Sequence, residues 1–280
     1  MMACQSPYMV LPTKWATEKV PVPCGKCPDC KFRRVNEWVF RLMEEDKVSS
    51  SSHFVTLTYD TTSVPISANG FMTLCKKDVQ DYMKRLRKLC PLSKLKYYFA
   101  GEYGSQNGRP HYHAIIFNCP DTALFFAAWH LNGTPLGGIH VGSVSGDSIA
   151  YTMKYIDKDN FSRKHSRDDR LPEFSLMSKG LGSAYLTGAA LKYHRSHLDQ
   201  VYVSKLGGHK VAMPRYYRQR IWSDQERSFQ ASIIAMNVAS QEAFDRLHWD
   251  AGIDYDAAQD SKKIHRFHSF YSSHSQNRKL

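Results

Sequence analysis

No run of apolar residues in this 280-residue chain approaches the ~18 to 20 that a membrane-spanning helix needs. The N-terminus lacks a basic segment followed by a hydrophobic one, so neither a membrane span nor a secretory leader is expected, and a cytoplasmic protein is. No Gly-x-x-x-x-Gly-Lys-Ser/Thr occurs, which excludes a P-loop ATPase within the chain. No segment repeats at a fixed period, which argues against a solenoid. Acidic residues are scarce: 26 Asp and Glu stand against 38 Lys and Arg, a formal charge of +12. That excess favours a polyanionic partner, nucleic acid first. The seven cysteines are odd in number, and three crowd into Cys24-Gly-Lys-Cys27-Pro-Asp-Cys30. That spacing suits metal thiolates in a reducing compartment better than a disulfide framework.

What is present is enough apolar residue, 42% of the chain, to bury a sizeable core. Residues 1–30 carry five prolines and four cysteines with little periodicity, and read as an irregular segment that needs a tether. From Lys31 to Lys47, Phe32, Val35, Trp38, Val39, Leu42 and Met43 recur at helical steps. His53 to Tyr59 alternates and is rich in β-branched and aromatic residues, a strand in which Phe54, Val55 and Leu57 are expected to fill the core. Lys76 to Leu89 forms a helix ended by Pro91. Leu95 to Glu102 and His111 to Phe117 form a hairpin around a turn with two glycines. A short helix over 121–130, a strand over 138–144 and a helix over 147–158 follow. Hairpin-linked strands with helices between them predict an α+β layer structure, a central antiparallel sheet flanked by helices. Beyond residue 160 the expected elements are a helix over 184–197, a strand over 201–204 and a helix over 224–249, with a polar, frayed tail at the end. Residues 161–220 hold 12 Lys and Arg against 4 Asp and Glu, so the basic excess is concentrated there.

Arg109-Pro110-His111-Tyr112-His113 is the most informative segment. On a strand, residues i and i+2 share a face, which sets two imidazoles side by side where they can share one metal ion. Two histidines on an exposed strand can also be inert. Glu102 lies at the end of the preceding strand, and the hairpin returns it beside His111. Two imidazoles and a carboxylate suit Mn2+ or, with more water, Mg2+, either of which can polarise a phosphate oxygen. The competing reading of Glu102 is a surface carboxylate paired with Arg109. In Tyr151-Thr-Met-Lys154-Tyr155-Ile-Asp-Lys158, the two phenols stand four residues apart on one helical face. Each has a lysine within one turn to favour its phenolate. Their alternative role is packing with Ile149, Met153 and Ile156.

These residues resemble the His-hydrophobe-His endonucleases, and within them the replication initiators of microviruses, the gokushovirus branch above all. Phe54-Val-Thr-Leu-Thr-Tyr-Asp60 resembles the family's first strand motif. Gly101-Glu-Tyr-Gly104 with Arg109-Pro-His-Tyr-His113 resembles its metal motif, and Tyr151-x-x-Lys154-Tyr155 its two-tyrosine motif. The Pro23-Cys-Gly-Lys-Cys-x-x-Cys30 segment resembles the branch's N-terminal signature. Tyr112 stands where a bulky aliphatic is usual. The resemblance implies a sheet with the family's RRM-like palm architecture and a metal held by Glu102, His111 and His113. It also implies a tyrosine that attacks a scissile phosphate to leave a 5′-phosphotyrosine, with Lys154 and Lys158 contacting phosphate or stabilising phenolate. The implied partners are single-stranded DNA, an origin duplex, and a helicase and polymerase supplied by a bacterial host, with no small-molecule cofactor.

Cys4 can join Cys24, Cys27 and Cys30 in a structural Zn2+ site, although the second cysteine pair that usually follows such a knuckle is absent. Cys75, Cys90 and Cys119 read as small core residues. Arg109, Lys179, Lys192, Arg215, Arg218 and Arg220, the last five interleaved with tyrosines, form an expected DNA-binding surface. The expected organisation is therefore a Cys-rich segment over 1–30, an endonuclease core over 31–160, a basic DNA-binding extension over 161–260 and a tail over 261–280. Two rivals to the initiator remain. One is a relaxase or single-strand transposase of the same superfamily, and the other is a non-catalytic, zinc-stabilised single-stranded-DNA-binding protein.

Overall fold

The computed structural model describes residues 4–11, 13–104, 107–146, 149, 165–205, 207–249 and 254–276. The chain divides into two compact units, one of residues 38–185 and one joining residues 1–37 to 186–280.

The first unit is an α+β structure around a five-stranded antiparallel sheet. Its strands are β3 (Ser52–Thr58), β4 (Lys96–Tyr103), β5 (Pro110–Phe117), β8 (Ile139–Ser143) and β9 (Phe174–Met177), in the order β8-β3-β5-β4-β9. Two-residue strands β6 (His130–Leu131) and β7 (Thr134–Pro135) form a small hairpin apart from it. One face of the sheet presents Val55, Leu57, Phe99, Tyr112, Ala114 and Ile116 to Val79, Tyr82, Met83 and Leu86 of helix α2 (Lys76–Leu89). Phe125 and Ala128 of α3 (Ala123–Ala128) join the same core. Arg85 of α2 fastens the two helices by donating to the Ala128 carbonyl at 2.8 Å. On the opposite face, the C-terminal half of α1 (Pro28–Asp46) covers the far end of the sheet, with Trp38 edge-on to the buried Tyr98 ring at 4.7 Å. Lys96 on that face pairs with the buried Glu45 at 2.6 Å, and Glu45 also accepts from the Gly182 N–H at 2.9 Å.

Strand alternation corrects the expected core. Val55 and Leu57 are fully buried on the α2 face, but Phe54, one residue out of phase, lies on the other side and stacks on His113 with ring centroids 5.6 Å apart.

Tyr112 belongs to the core face and explains why an aromatic stands between the two histidines. Its hydroxyl accepts from the Cys75 N–H at 2.8 Å, at the start of α2, and lies 2.9 Å from the Tyr59 hydroxyl and 3.1 Å from the Cys75 carbonyl. Tyr59 donates to Asp78 at 2.7 Å, so the Tyr112 proton goes to Tyr59 or to Cys75. The phenol thus ties the central strand to the first turn of α2. In Tyr112→Phe the Cys75 N–H loses its acceptor. The expected loss is about 2 kcal/mol, read as a lower urea midpoint with an unchanged slope.

Gly101, opposite Tyr112 in the register, is small for a packing reason. A Cβ there would stand 3.1 Å from Leu74 and 3.2 Å from the Phe174 ring. Cys90 and Cys119 are buried free thiols, their sulfurs 3.4 Å apart. Cys75 is half-buried just ahead of α2.

The second unit contains the hairpin of β1 (Tyr8–Val10) and β2 (Val20–Val22) and the N-terminal half of α1. Its C-terminal part comprises α4 (Gly188–Ser196), the hairpin of β10 (Tyr202–Ser204) and β11 (Lys210–Ala212), α5 (Arg215–Ile221), α6 (Asp224–Leu247) and α7 (Tyr255–Gln276). The helix expected over 184–197 starts later, because Thr187 caps α4 by accepting from the Ala190 N–H at 3.2 Å. Ser223 and Glu226 form a reciprocal capping box at the start of α6. The polar tail expected over 261–280 is helical as far as Gln276. No Gly or Pro interrupts residues 254–276, and Asp260 pairs with Lys263 one turn on, at 2.8 Å. The helix expected over 147–158 falls almost wholly outside the described residues.

Candidate metal centre

Glu102, His111 and His113 converge. In the β4–β5 ladder Glu102 is directly opposite His111, and Ala100 is opposite His113, so all three ligands project from one face. Directly opposite residues bring their Cβ atoms within about 5.5 Å of each other. One Glu102 oxygen lies 2.5 Å from Nε2 of His111 and 3.1 Å from Nε2 of His113. The three ligand atoms lie within 4.8 Å of one another. The imidazole rings stand nearly perpendicular, at 89°, with both Nε2 atoms aimed at the same carboxylate.

The other ring nitrogens are held as well. His111 Nδ1 donates to the Arg109 carbonyl at 3.2 Å, and Thr56 Oγ1 lies 3.0 Å from Nδ1 of His113. Occupied Nδ1 atoms leave the Nε2 lone pairs free to ligate. Thr56 faces His113 across the β3–β5 ladder and was not singled out in the sequence. Its signal is the register itself, because the matching parity of β3 points Phe54, Thr56 and Thr58 to the ligand face. His140 of β8 opposes Thr56 on that same face and is exposed.

The electrostatics suit a cation. Burial by itself raises a carboxyl pKa, but hydrogen bonds and charge from His111 and His113 outweigh it and hold Glu102 at about 2. Glu102 and His113 are buried, whereas the His111 side chain retains 19% exposure. The cage therefore has a dry floor and one open side. Two imidazoles and one carboxylate leave coordination positions for water or a phosphate oxygen, the donor set expected for Mn2+ or Mg2+.

The remaining predicted residues are less concentrated. Tyr151, Lys154, Tyr155 and Lys158 lie outside the described residues. Arg109 grips the Tyr59 carbonyl at 2.8 and 3.2 Å and reaches Thr61, which braces the ends of β3 and β5 beside the cage. Its guanidinium is thus engaged by a backbone oxygen and a hydroxyl in place of the Glu102 carboxylate. Lys179, Lys192, Arg215 and Arg220 are exposed. Arg220 stacks its guanidinium on the Tyr216 ring at 3.7 Å, and Lys210 stands over Tyr202 at 4.4 Å. Arg218 is half-buried; desolvation, then the charges of Arg227 and Arg33, lower its pKa. Tyr217, one of the interleaved tyrosines, is fully buried and serves the core.

A family model of replication-associated proteins of the ORF2 type matches residues 52–160. The chain is 29% identical over 225 residues to replication-associated protein ORF2 of Spiroplasma virus 4, covering 73% of this chain and 69% of that one. It is 28% identical over 216 residues to replication-associated protein VP4 of Bdellovibrio phage phiMH2K, covering 70% and 66%. With replication-associated protein ORF4 of Chlamydia phage 1 the identity is 24% over 223 residues, covering 71% and 53%. No solved structure matches the chain. The matched residues run from the first strand of the sheet through the Glu/His/His hairpin to the tyrosine segment, and the chain belongs with the replication-associated proteins of microvirus-like phages.

Proposed function

We propose that the protein initiates rolling-circle replication of a small single-stranded-DNA genome by nicking and rejoining one DNA strand at the origin. The observation that carries the reading is the convergence of Glu102, His111 and His113 on one point at the open end of the sheet. The similarity to phage replication-associated proteins supports the setting.

In this reading Glu102, His111 and His113 hold Mg2+ or Mn2+, which when bound polarises a non-bridging oxygen of the scissile phosphate and offsets its developing charge. Tyr151 or Tyr155 loses its phenolic proton and bonds through oxygen to phosphorus. The P–O bond to the upstream sugar breaks, leaving a 3′ hydroxyl and a 5′-phosphotyrosine. The 3′ hydroxyl primes a host polymerase. Lys154 and Lys158 stabilise the phenolates or contact the phosphate, and the missing P-loop leaves unwinding to a host helicase. Lys179, Lys192, Arg215, Arg218 and Arg220 supply phosphate contacts, with ring stacking from Tyr202 and Tyr216. Arg109 keeps the strand ends in place at the rim of the cage and adds positive charge there.

The test uses a labelled origin-like single strand, incubated with the protein and Mn2+ or Mg2+ and run on a denaturing gel. A covalent protein–DNA adduct that requires the divalent ion is the expected result. Retarded DNA on a native gel with no adduct under any ion would leave a passive single-stranded-DNA binder.

Thr56 provides a finer check on the cage. Thr56→Val keeps the shape but removes the oxygen that orients His113. Partners of this kind are worth about 10- to 100-fold in metal affinity, so Mn2+ binding should weaken by that factor in a calorimetric titration while the urea midpoint changes little.

A further inference from the structure

We propose that Cys4, Cys24, Cys27 and Cys30 form a closed tetrathiolate site for one structural Zn2+ ion, separate from the Glu/His/His cage, and that this ion fastens the N-terminal hairpin to the first turn of α1.

The geometry is that of a metal site rather than of a disulfide pair. All four sulfurs lie within 4.8 Å of one another, and those of Cys4 and Cys27 are 3.9 Å apart. A disulfide requires about 2.05 Å. A tetrahedral Zn2+ site with bonds of about 2.3 Å places its sulfurs about 3.8 Å apart, close to the separation observed. The four thiols are free, and those of Cys27 and Cys30 are buried. Four thiolates in tetrahedral array select Zn2+ over harder divalent ions and leave no open position for catalysis.

The backbone is shaped for thiolates as well. The N–H groups of Lys26 and Cys27 point at the Cys24 sulfur at 3.4 and 3.3 Å, and the Cys24 N–H points at the Cys4 sulfur at 3.2 Å. Gly25 makes the tight turn possible with φ +73°. Arg34 lies against that turn, one guanidinium nitrogen 3.5 Å from where a Gly25 Cβ would stand. Cys27 and Cys30 flank the start of α1, where Pro28 occupies the first helical position and the helix dipole favours negative charge. The fourth ligand comes from upstream. The β1–β2 hairpin folds residues 8–22 back on themselves and returns Cys4 to the knuckle, which replaces the missing downstream pair. Gln5 adds a bond to the buried Asp29 of α1 at 3.1 Å. Within the same unit, Asn36 of α1 accepts from Lys205 beside the β10–β11 hairpin, so a fixed α1 start also steadies a partner far along the chain.

The experiment measures zinc in full-length protein purified under reducing conditions, beside a His111→Ala, His113→Ala variant. One zinc per chain in both, retained through dialysis against EDTA, is the expected result. Zinc absent from the wild-type protein, or lost with the imidazoles, would overturn the assignment. Cys30→Ser should drop zinc to less than a tenth of an equivalent. Should that variant fail to fold, Co2+ exchanged into the wild-type protein gives the answer. The intense thiolate-to-metal charge transfer and visible bands of a tetrahedral sulfur site support the proposal, and pale octahedral spectra refute it. Because the nicking reading depends on an ion that EDTA removes, loss of adduct after dialysis with zinc retained separates the two sites.

Discussion

Glu102→Gln will leave a folded protein that no longer forms the DNA adduct at a useful rate. The substitution keeps the side-chain volume and one carbonyl oxygen. It removes the formal charge that sits 2.5 and 3.1 Å from the two imidazole nitrogens. Without that charge the cage offers a divalent ion two neutral nitrogens and an amide, and cannot offset the cation. The charge stabilisation an ion gives a phosphoryl-transfer transition state is several kcal/mol. A loss of about 4 kcal/mol corresponds to roughly a thousandfold in rate. The adduct assay with saturating Mn2+ measures it, and a rate within tenfold of wild type would remove Glu102 from the metal set. A second readout needs no DNA. Glu102 is held well below the ordinary carboxylate range in the ion-free protein. Its charge therefore contributes stability that is present above about pH 4.5 and is lost as pH falls toward 2. Metal-free Glu102→Gln should be less stable than wild type to urea at neutral pH, with the gap narrowing below pH 4.

The cage was legible in the sequence because its geometry is local. A two-residue period fixes His111 and His113 on one face, and a hairpin turn of known length brings Glu102 opposite His111. The same period was available for β3, yet three closely spaced apolar residues suggested a single core. The sheet instead has two covered faces: Val55 and Leu57 meet α2, and Phe54 meets His113. Strand β9 gave no signal, because Phe174–Met177 is four residues long and closes the sheet edge beside β4 by pairing from a distant part of the chain. Tyr112 read as a conservative hydrophobe. Only the packed structure gives its hydroxyl a purpose, since its partner Cys75 lies 37 residues away. The cysteine knuckle was visible by spacing, but Cys4 as its fourth member depends on a hairpin of three-residue strands too short to recognise from alternation. Residues 1–37 group with 186–280, a pairing of chain ends that no local pattern announces.

The nucleophiles set the sharpest test of the proposed chemistry. Tyr151→Phe, Tyr155→Phe together should reduce adduct at least about a thousandfold, because no other side chain is spaced with a lysine on one helical face in the same way and phenylalanine has no oxygen to attack with. The single variants should behave differently from the double and from each other. A rolling-circle initiator must cleave twice: once to open the origin, and again to release the displaced strand while the first phosphotyrosine is still in place. One phenol suffices for the first event. Each single variant should therefore still form adduct on a simple single strand, within about tenfold of wild type. Each should fail at strand joining on a substrate that carries two successive origins. An adduct that survives in the double variant would show that the attacking oxygen lies elsewhere. Joining at wild-type rate in either single variant would show that one tyrosine serves both cleavages, and the four-residue spacing would then reflect packing with Ile149 and Ile156 instead of alternation between two nucleophiles.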